Sequence, residues 1–216
     1  MRYYIADNHF FHNGVNDRMD HRGFQSVETM NEYMIQQWNS RVRRTDEVVC
    51  LGDLSIGNAI ETNRILEQLN GRIFMIRGNH DKFLDRTGVN LSRFEWVKDY
   101  AEMHDNGRKV ILCHYPIVCY NGQFIRDKNG NPKVYMLHGH IHRTQDIVGL
   151  HKYKEFIRGF PRKSRGSDEP IPAPCNIINC FCMYSDYVPQ TLDEWIEIDK
   201  KGVDIKSVQE DWRYDG

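Results

Sequence analysis

Four short strings along the chain carry side chains that can hold metal ions. They are Asp7-Asn8-His9, Gly52-Asp53, Gly78-Asn79-His80-Asp81 with His114 further on, and Gly139-His140-Ile141-His142. Together they offer carboxylates, imidazoles and a side-chain amide, a donor mixture suited to divalent transition ions. Two such ions side by side form a device for phosphoryl chemistry, because they clamp the attacking and leaving oxygens of an in-line displacement. Singly the strings say little: Gly-Asp is a turn signal, and a lone His-x-His or Asp-x-His is more often structural. At average residue usage, however, Gly-Asn-His-Asp arises by chance in roughly one chain per thousand of this length. Here it stands in order among the others, so the joint pattern reads as metal binding.

The elements that position these strings are short apolar runs, each ending on a residue of metal-binding type. Arg2–Ala6 precedes Asp7, Glu47–Leu51 precedes Asp53, Arg72–Arg77 precedes Asn79, Lys109–Cys113 precedes His114, and Lys133–Leu137 precedes His138. They read as buried strands whose exits are loops, where open α/β sheets put their ligands. Between them, Val27, Met30, Met34, Trp38 and Val42 make one apolar helical face. Ile60, Ile65, Leu66 and Leu69 make another, closed at Asn70-Gly71. The first half is therefore β-α-β-α-β. After Phe94 strand-like runs dominate up to His138, as expected if a second sheet packs on the first. Thr191-Leu192-Asp193-Glu194 is a capping box closed by Lys200-Lys201-Gly202, which predicts a C-terminal helix of about three turns.

Two long connections stand out, Tyr115–Pro132 after His114 and Arg143–Pro174 after His142. Connections longer than about 12–15 residues are usually functional or unstructured, and both leave the presumed site. At 216 residues one domain over 1–216 is expected. The formal charge of −1 predicts no general affinity for nucleic acid or acidic membranes, so attraction for a phosphate must come from local patches and bound metal. Six cysteines without a C-x-x-C pair read as buried free thiols, which suits a reducing compartment. Cys175, Cys180 and Cys182 lack zinc-knuckle spacing and read as strand interior. The start of the chain shows no leader and no run approaches the roughly 20 apolar residues of a membrane span, so a cytoplasmic soluble protein is expected.

From Asp7 to His142 the chain resembles the calcineurin-like metallophosphoesterases. It is most similar to small bacterial and phage members that open Asp-x-His-Phe-x-His, matched by Asp7 to His12. The resemblance implies an α/β fold: a four-layer α/β/β/α sandwich of two packed mixed sheets flanked by helices. It also implies two divalent metal ions (Mn, Fe, Ni or Zn). Asp7, His9 and His142 would bind the first, Asn79, His114 and His140 the second, and Asp53 would bridge them. A bridging hydroxide would serve as nucleophile. His80 is no ligand in that pattern and would act as general acid or transition-state stabiliser. His12 would either touch substrate or support a ligand.

Asp81, followed by Lys82-Phe83-Leu84, reads as a helix N-cap or a catalytic residue; His138 could point into the core, and His21, His104 and His151 belong to no motif. The protein Ser/Thr phosphatases extend Gly-Asp with Asp-Arg-Gly, whereas this chain reads Gly52-Asp53-Leu54-Ser55-Ile56-Gly57. The aspartate that orients their catalytic histidine has no evident counterpart. A phosphodiesterase or nucleotide hydrolase is therefore expected, with a small phosphodiester or nucleotide as substrate. A phosphomonoesterase or a nuclease on RNA or DNA is the alternative. Between positions 143 and 174 a basic loop insertion is expected, carrying Lys152, Lys154, Arg158, Arg162, Lys163 and Arg165 against Glu155. It reads as a solvated face, or as a clamp in which Lys152, Lys154 and Arg158 hold substrate phosphates, or as a partner surface.

Overall fold

In the computed structural model, which describes residues 1–163 and 170–202, the period-two alternation of the strands decides the layering. β1 (Arg2–Ile5), β2 (Glu47–Cys50), β3 (Arg72–Ile76) and β4 (Phe94–Lys98) form a parallel sheet in that order, with an antiparallel bridge from Tyr4 to Gln190 at its free edge. Tyr3, Ile5, Val48, Cys50, Ile73 and Met75 enter one core; Tyr4, Val49, Phe74 and Ile76 enter another, because successive side chains of a strand point to opposite faces. The first core is closed by α1 (Val27–Arg41), through Met30, Met34 and Trp38, and by α2 (Ala59–Gln68), through Ile65 and Leu66. Capping boxes at Ser26 and Asn58 start these helices by satisfying backbone N–H groups that lack intrahelical partners. Ile60 departs from the expected apolar face: it is 66% exposed, while Thr62 takes the buried position of that turn.

β5 (Tyr100–Asp105), β6 (Arg108–Cys113) and β7 (Val134–His138) follow, then α3 (Asp146–Arg158), the hairpin of β8 (Pro161–Lys163) with β9 (Pro170–Pro172), and β10 (Ile177–Asn179). The second sheet runs β10-β7-β6-β5 and is mixed, since β5 alone is antiparallel to its neighbour. Ala101, Val110, Leu112, Tyr135, Leu137 and Ile178 meet the first sheet, and Ile111, Val134, Met136 and Ile177 face outward beneath Leu150, Tyr153 and Ile157 of α3. The result is the four-layer α/β/β/α sandwich. The expected C-terminal helix is α4 (Leu192–Lys201), capped by Thr191. Its Trp195 is buried in the middle core, and the indole N–H donates to the Tyr4 carbonyl at 2.8 Å.

The expected basic loop is instead largely a helix and a hairpin. Its six basic residues obscured an apolar stripe in which Ile147, Leu150 and Ile157 stand at helical spacing. Lys154 lies on that stripe and is 6% exposed. Its Nζ donates to the Ile177 carbonyl at 2.9 Å and to both Asp199 carboxylate oxygens at 2.6 and 2.9 Å. Arg158 donates to the Cys175 carbonyl at 3.1 Å, and the Arg162 guanidinium stacks over Phe124. Lys154 is thus a core ion-pair partner rather than a substrate contact, Arg158 braces a strand approach, and only Lys152 of the proposed clamp is both exposed and without such a bond among the described residues. Arg165 and the Lys163 side chain lie outside the described residues.

All six cysteines are free, but Cys119 is exposed and Cys113 half-buried, against the expectation of six buried thiols. Cys175, Cys180 and Cys182 flank the short β10 rather than filling a strand.

Removing the Lys154 amine strands Asp199 and the Ile177 carbonyl. Lys154→Ala should lower the unfolding free energy in urea by about 3 kcal/mol, and Lys154→Met, which keeps the stem packed, should lose less.

Candidate metal centre

The first three strands of the parallel sheet and β6 and β7 of the mixed sheet end at one edge of the sandwich, and their exit loops interlock. Asp7 N–H donates to Gly52 O at 3.0 Å, His9 N–H to Asp53 O at 2.9 Å, and Gly139 N–H to His114 O at 3.0 Å. Asp7, His9, Asp53, His140 and His142 all adopt left-handed backbone, with φ of 59, 53, 53, 71 and 43°. Non-glycine residues rarely do so, and such strain gathers at functional sites. Two motif glycines are required by close approach. A Cβ on Gly52, itself at φ +97°, would lie 2.3 Å from His114 Nδ1, and one on Gly78 would lie 2.2 Å from Asp53 Oδ1.

The donor atoms converge in two groups that share one carboxylate. Asp7, His9, Asp53 and His142 present ligand atoms all within 4.8 Å of one another, and all four are buried. On the other side, His114 Nε2 and His140 Nδ1 approach Asn79 Oδ1 at 3.0 and 2.9 Å. Asp53 Oδ2 lies 3.5 Å from His9 Nε2 and 3.4 Å from His114 Nε2, so a single oxygen faces both groups. Its other oxygen accepts the His80 N–H at 2.8 Å. Asp7 Oδ1 accepts the His140 N–H at 2.9 Å, while Asp7 Oδ2 is buried with no partner among the described residues.

Hydrogen bonds on the far side of the imidazoles fix their tautomers. His142 Nδ1 lies 2.7 Å from Asp20 Oδ1 and His114 Nδ1 lies 2.9 Å from the Leu51 carbonyl. Both partners only accept, so Nδ1 keeps its proton, and it is Nε2 whose lone pair faces the site once the ring is neutral. A buried carboxylate oxygen with no donor, beside imidazole lone pairs aimed the same way, is what a divalent cation satisfies. The donor set fits a metal.

Electrostatics point the same way. Burial, against the nearby histidines, leaves the Asp7 carboxyl above its ordinary value. Burial pulls His114 down, but the Asp53 hydrogen bond and the charges of Asp7 and Asp53 prevail and raise it to about 9. His142 is likewise raised, burial being outweighed by Asp7 and Asp20. Desolvation lowers His9 and His140. His138 is fully buried and held at about 3 by desolvation, with Nδ1 against Gly139 O; it is a core residue, as the sequence suggested.

The remaining sequence candidates fall as follows. His80 is half-buried, its ring centroid 5.3 Å from His9 and 5.8 Å from His12, and its side chain makes no hydrogen bond among the described residues. His12 Nδ1 lies 3.1 Å from His9 Nδ1, a contact that orients His9. Asp81 caps nothing with its side chain. Its carboxylate instead accepts the N–H groups of Asp53, Leu54 and Gly78 at 2.8, 2.8 and 2.7 Å, tying the second motif to the third. Burial and the Asp53 charge push it up to about 7 against those three donors. Lys152, Lys154 and Arg158 belong to α3, and none is in the converging donor groups.

Three supporting residues escaped the sequence reading. Asp20 holds His142. Arg22, its side chain fully buried, donates to Asp20 and to the carbonyls of Asp7 and Asn8. Cys182 Sγ lies 3.1 Å from the Asp7 carbonyl. Asp20 and Arg22 sit in the charged stretch Asp17-Arg18-Met19-Asp20-His21-Arg22, which reads as solvent-facing. A five-residue π-helical turn, Val15–Met19, carries Asp20 inward, and nothing in the local pattern announces it.

A calcineurin-like phosphoesterase family model matches residues 3–205. The chain is 33% identical over 210 residues to an uncharacterized protein of Methanocaldococcus jannaschii, covering 96% of each chain. It is 29% identical over 161 residues to the gene 66 protein of Mycobacterium phage D29, covering 65% of this chain and 77% of that protein. A solved structure of a protein of unknown function from Aquifex aeolicus superposes with a TM-score of 0.61 at 22% identity, covering 93% of this chain and 98% of that one, and so shares the fold. A two-sheet sandwich with buried carboxylates and imidazoles at the strand exits defines a metallohydrolase scaffold. The chain belongs to the calcineurin-like phosphoesterases and is a hydrolase acting on phosphate esters. Among the described residues no helix is long and apolar enough to cross a membrane.

Metal requires neutral imidazole, so binding through His114 would expel the proton that its pKa, raised to about 9 by Asp53 and Asp7, keeps on the ring. Metal affinity should therefore climb with pH toward 9, and calorimetry in buffers of different ionisation enthalpy should register the released proton. In the metal-free protein the same raised pKa contributes stability that is fully present below the ordinary histidine value and lost as pH rises through about 9. Asp20→Asn, which weakens the partner of His142, should reduce metal affinity by roughly 10- to 100-fold, measured by competition with a chelating dye.

Proposed function

We propose that the chain acts as a single domain that hydrolyses a small phosphodiester or a nucleotide with two divalent metal ions. The observation that carries this reading is Asp53 Oδ2, one carboxylate oxygen facing His9 on one side and His114 on the other at nearly equal distance. Asp7, His9 and His142 would hold one ion, Asn79, His114 and His140 the other, with Asp53 between them. The mixture of imidazole, carboxylate and amide suits Mn, Fe, Ni or Zn. Bound there, the ions would supply a nucleophile from water at neutral pH and positive charge for the phosphate.

The chain's own residues provide the rest. Asp20, the Leu51 carbonyl and His12 keep His142, His114 and His9 in the orientations that direct nitrogen lone pairs inward. Asp81 and Asp53 clamp the Gly78–His80 turn from below, which leaves the His80 imidazole standing over the donor groups. From there it can protonate a leaving oxygen or stabilise developing charge. A nuclease loses its main support, because Lys154 and Arg158 serve the fold and the formal charge is −1. Six unpaired cysteines suit a reducing cytoplasm.

Asp53→Asn should lose both metals and nearly all activity, read by elemental analysis and by turnover of bis-p-nitrophenyl phosphate; full occupancy with retained turnover would sink the ligand assignment. His80→Ala should keep its metal while kcat falls by on the order of a hundredfold. If the metal leaves instead, His80 is a ligand. Turnover of the bis-ester should exceed that of the mono-ester, and the reverse ranking would identify a phosphomonoesterase.

A further inference from the structure

On the Asn79 side of the donor groups lies a cavity of about 310 Å³, walled by Arg77, Asn79, Lys82, Asp85, Asp99 and Tyr115. Its size is at the lower end of the roughly 300–1,000 Å³ of small-molecule pockets. Asn79 is common to the cavity and to the donor group of His114 and His140, so whatever fills the one adjoins the other. Tyr115 forms the aromatic wall. Its ring centroid is 4.5 Å from that of His140 and 5.1 Å from that of His114, with the planes tilted at 65 and 73°. Those contacts fix the ring, yet Tyr115 remains 45% exposed. A large aromatic side chain half open to solvent and wedged against two imidazoles is a ready platform for another planar ring.

The charges of the wall narrow the occupant. Arg77 is paired with Asp85 at 2.7 Å and lies 3.9 Å from Asp99, whose side chain is 91% exposed. Asp85 and Asp99 offset Arg77 and Lys82, so the wall has no surplus of positive charge to attract a second phosphate. Exposed carboxylates instead accept hydrogen bonds from hydroxyl groups. An aromatic face with hydroxyl-accepting carboxylates beside a phosphate site matches a nucleoside: base on the ring, ribose hydroxyls toward the carboxylates.

We propose that the cavity beside Asn79 is a nucleoside subsite in which the base of a nucleotide ester stacks on Tyr115. The inference rests on the phosphoesterase reading of the metal centre and narrows its substrate to esters of a nucleoside. Tyr115 is a specificity-determining residue in this scheme, since it touches the part of the substrate that does not react.

Calorimetric titration of the metal-loaded protein with adenosine monophosphate and with inorganic phosphate separates the two contributions. Stacking of one base contributes about tenfold in affinity, so the nucleotide should bind about tenfold more tightly than phosphate. Tyr115→Ala should remove most of that ratio and Tyr115→Phe should keep it. In kinetics, the preference for thymidine 5′-p-nitrophenyl phosphate over methyl p-nitrophenyl phosphate, two diesters with one leaving group, should fall in Tyr115→Ala through KM. An unaltered ratio in Tyr115→Ala, or an equal loss for both ligands, overturns the subsite. Loss of the ratio in a protein that turns over neither diester would support the subsite and overturn the hydrolytic reading instead.

Discussion

The constraint on which the structure turns is the burial of anionic charge at one edge of the sandwich. Asp7, Asp53 and Asp81 are almost wholly buried, and the Asp20 side chain is 3% exposed. Uncompensated burial of even one carboxylate costs several kcal/mol. Two of the four are answered within the protein: Asp81 by three backbone N–H groups and Asp20 by Arg22 and His142. Asp7 and Asp53 are answered only in part. Each accepts one backbone N–H, from His140 and His80 respectively, and otherwise faces imidazoles. Without metal the balance falls to protons on His114 and His142, which is why both sit above their ordinary pKa. Bound metal would take over the role of those protons.

This demand shapes the loops more than the sheets. Strand alternation and the amphipathic helices α1, α2 and α3 suffice to stack the layers, and they tolerate many apolar substitutions. The loops do not have that latitude. Five candidate ligands need left-handed backbone, and the glycines at 52 and 78 leave room for side chains arriving from other strands. Arg22 pins the carbonyls of Asp7 and Asn8 from below, so the strained turn after β1 is held by a buried guanidinium as well as by its neighbours.

How much of this was legible in the chain depended on the range of the interaction. The strands before Asp7, Asp53, Asn79 and His114 could be read because each is a local apolar run. The start of α4 could be read because Thr191 and Glu194 cap each other within one turn, whereas the Ser26–Thr29 box that opens α1 became visible only in the structure. α3 was missed because charge masked its apolar stripe, and because the partners of Lys154 are remote, Asp199 being 45 residues away. Asp20 and Arg22 were missed for the same reason: 122 residues separate Asp20 from His142. Asp81 stayed open between a cap and a catalytic residue because the N–H groups its carboxylate accepts from Asp53 and Leu54 lie 28 and 27 residues back along the chain. Local chemistry names the candidate ligands, and tertiary contacts name what holds them.

The two halves of the donor set also differ in access, and this bears on how a substrate must approach. Asp7 and His9 are fully buried and His142 is 4% exposed, with Phe181 stacked on the His142 ring at 4.8 Å between centroids. Asn79 is exposed and His140 half-buried. On the proposed reading, a phosphate ester would therefore not enter over His142. It would come across Asn79 and His140, passing His80 on the loop between Gly78 and Asp81. The group esterified to the phosphate would then be left on the open side, against Tyr115 and the paired charges of Arg77 and Asp85. The buried half would fix the charge that any phosphate ester shares, and the open half would be where one ester is told from another.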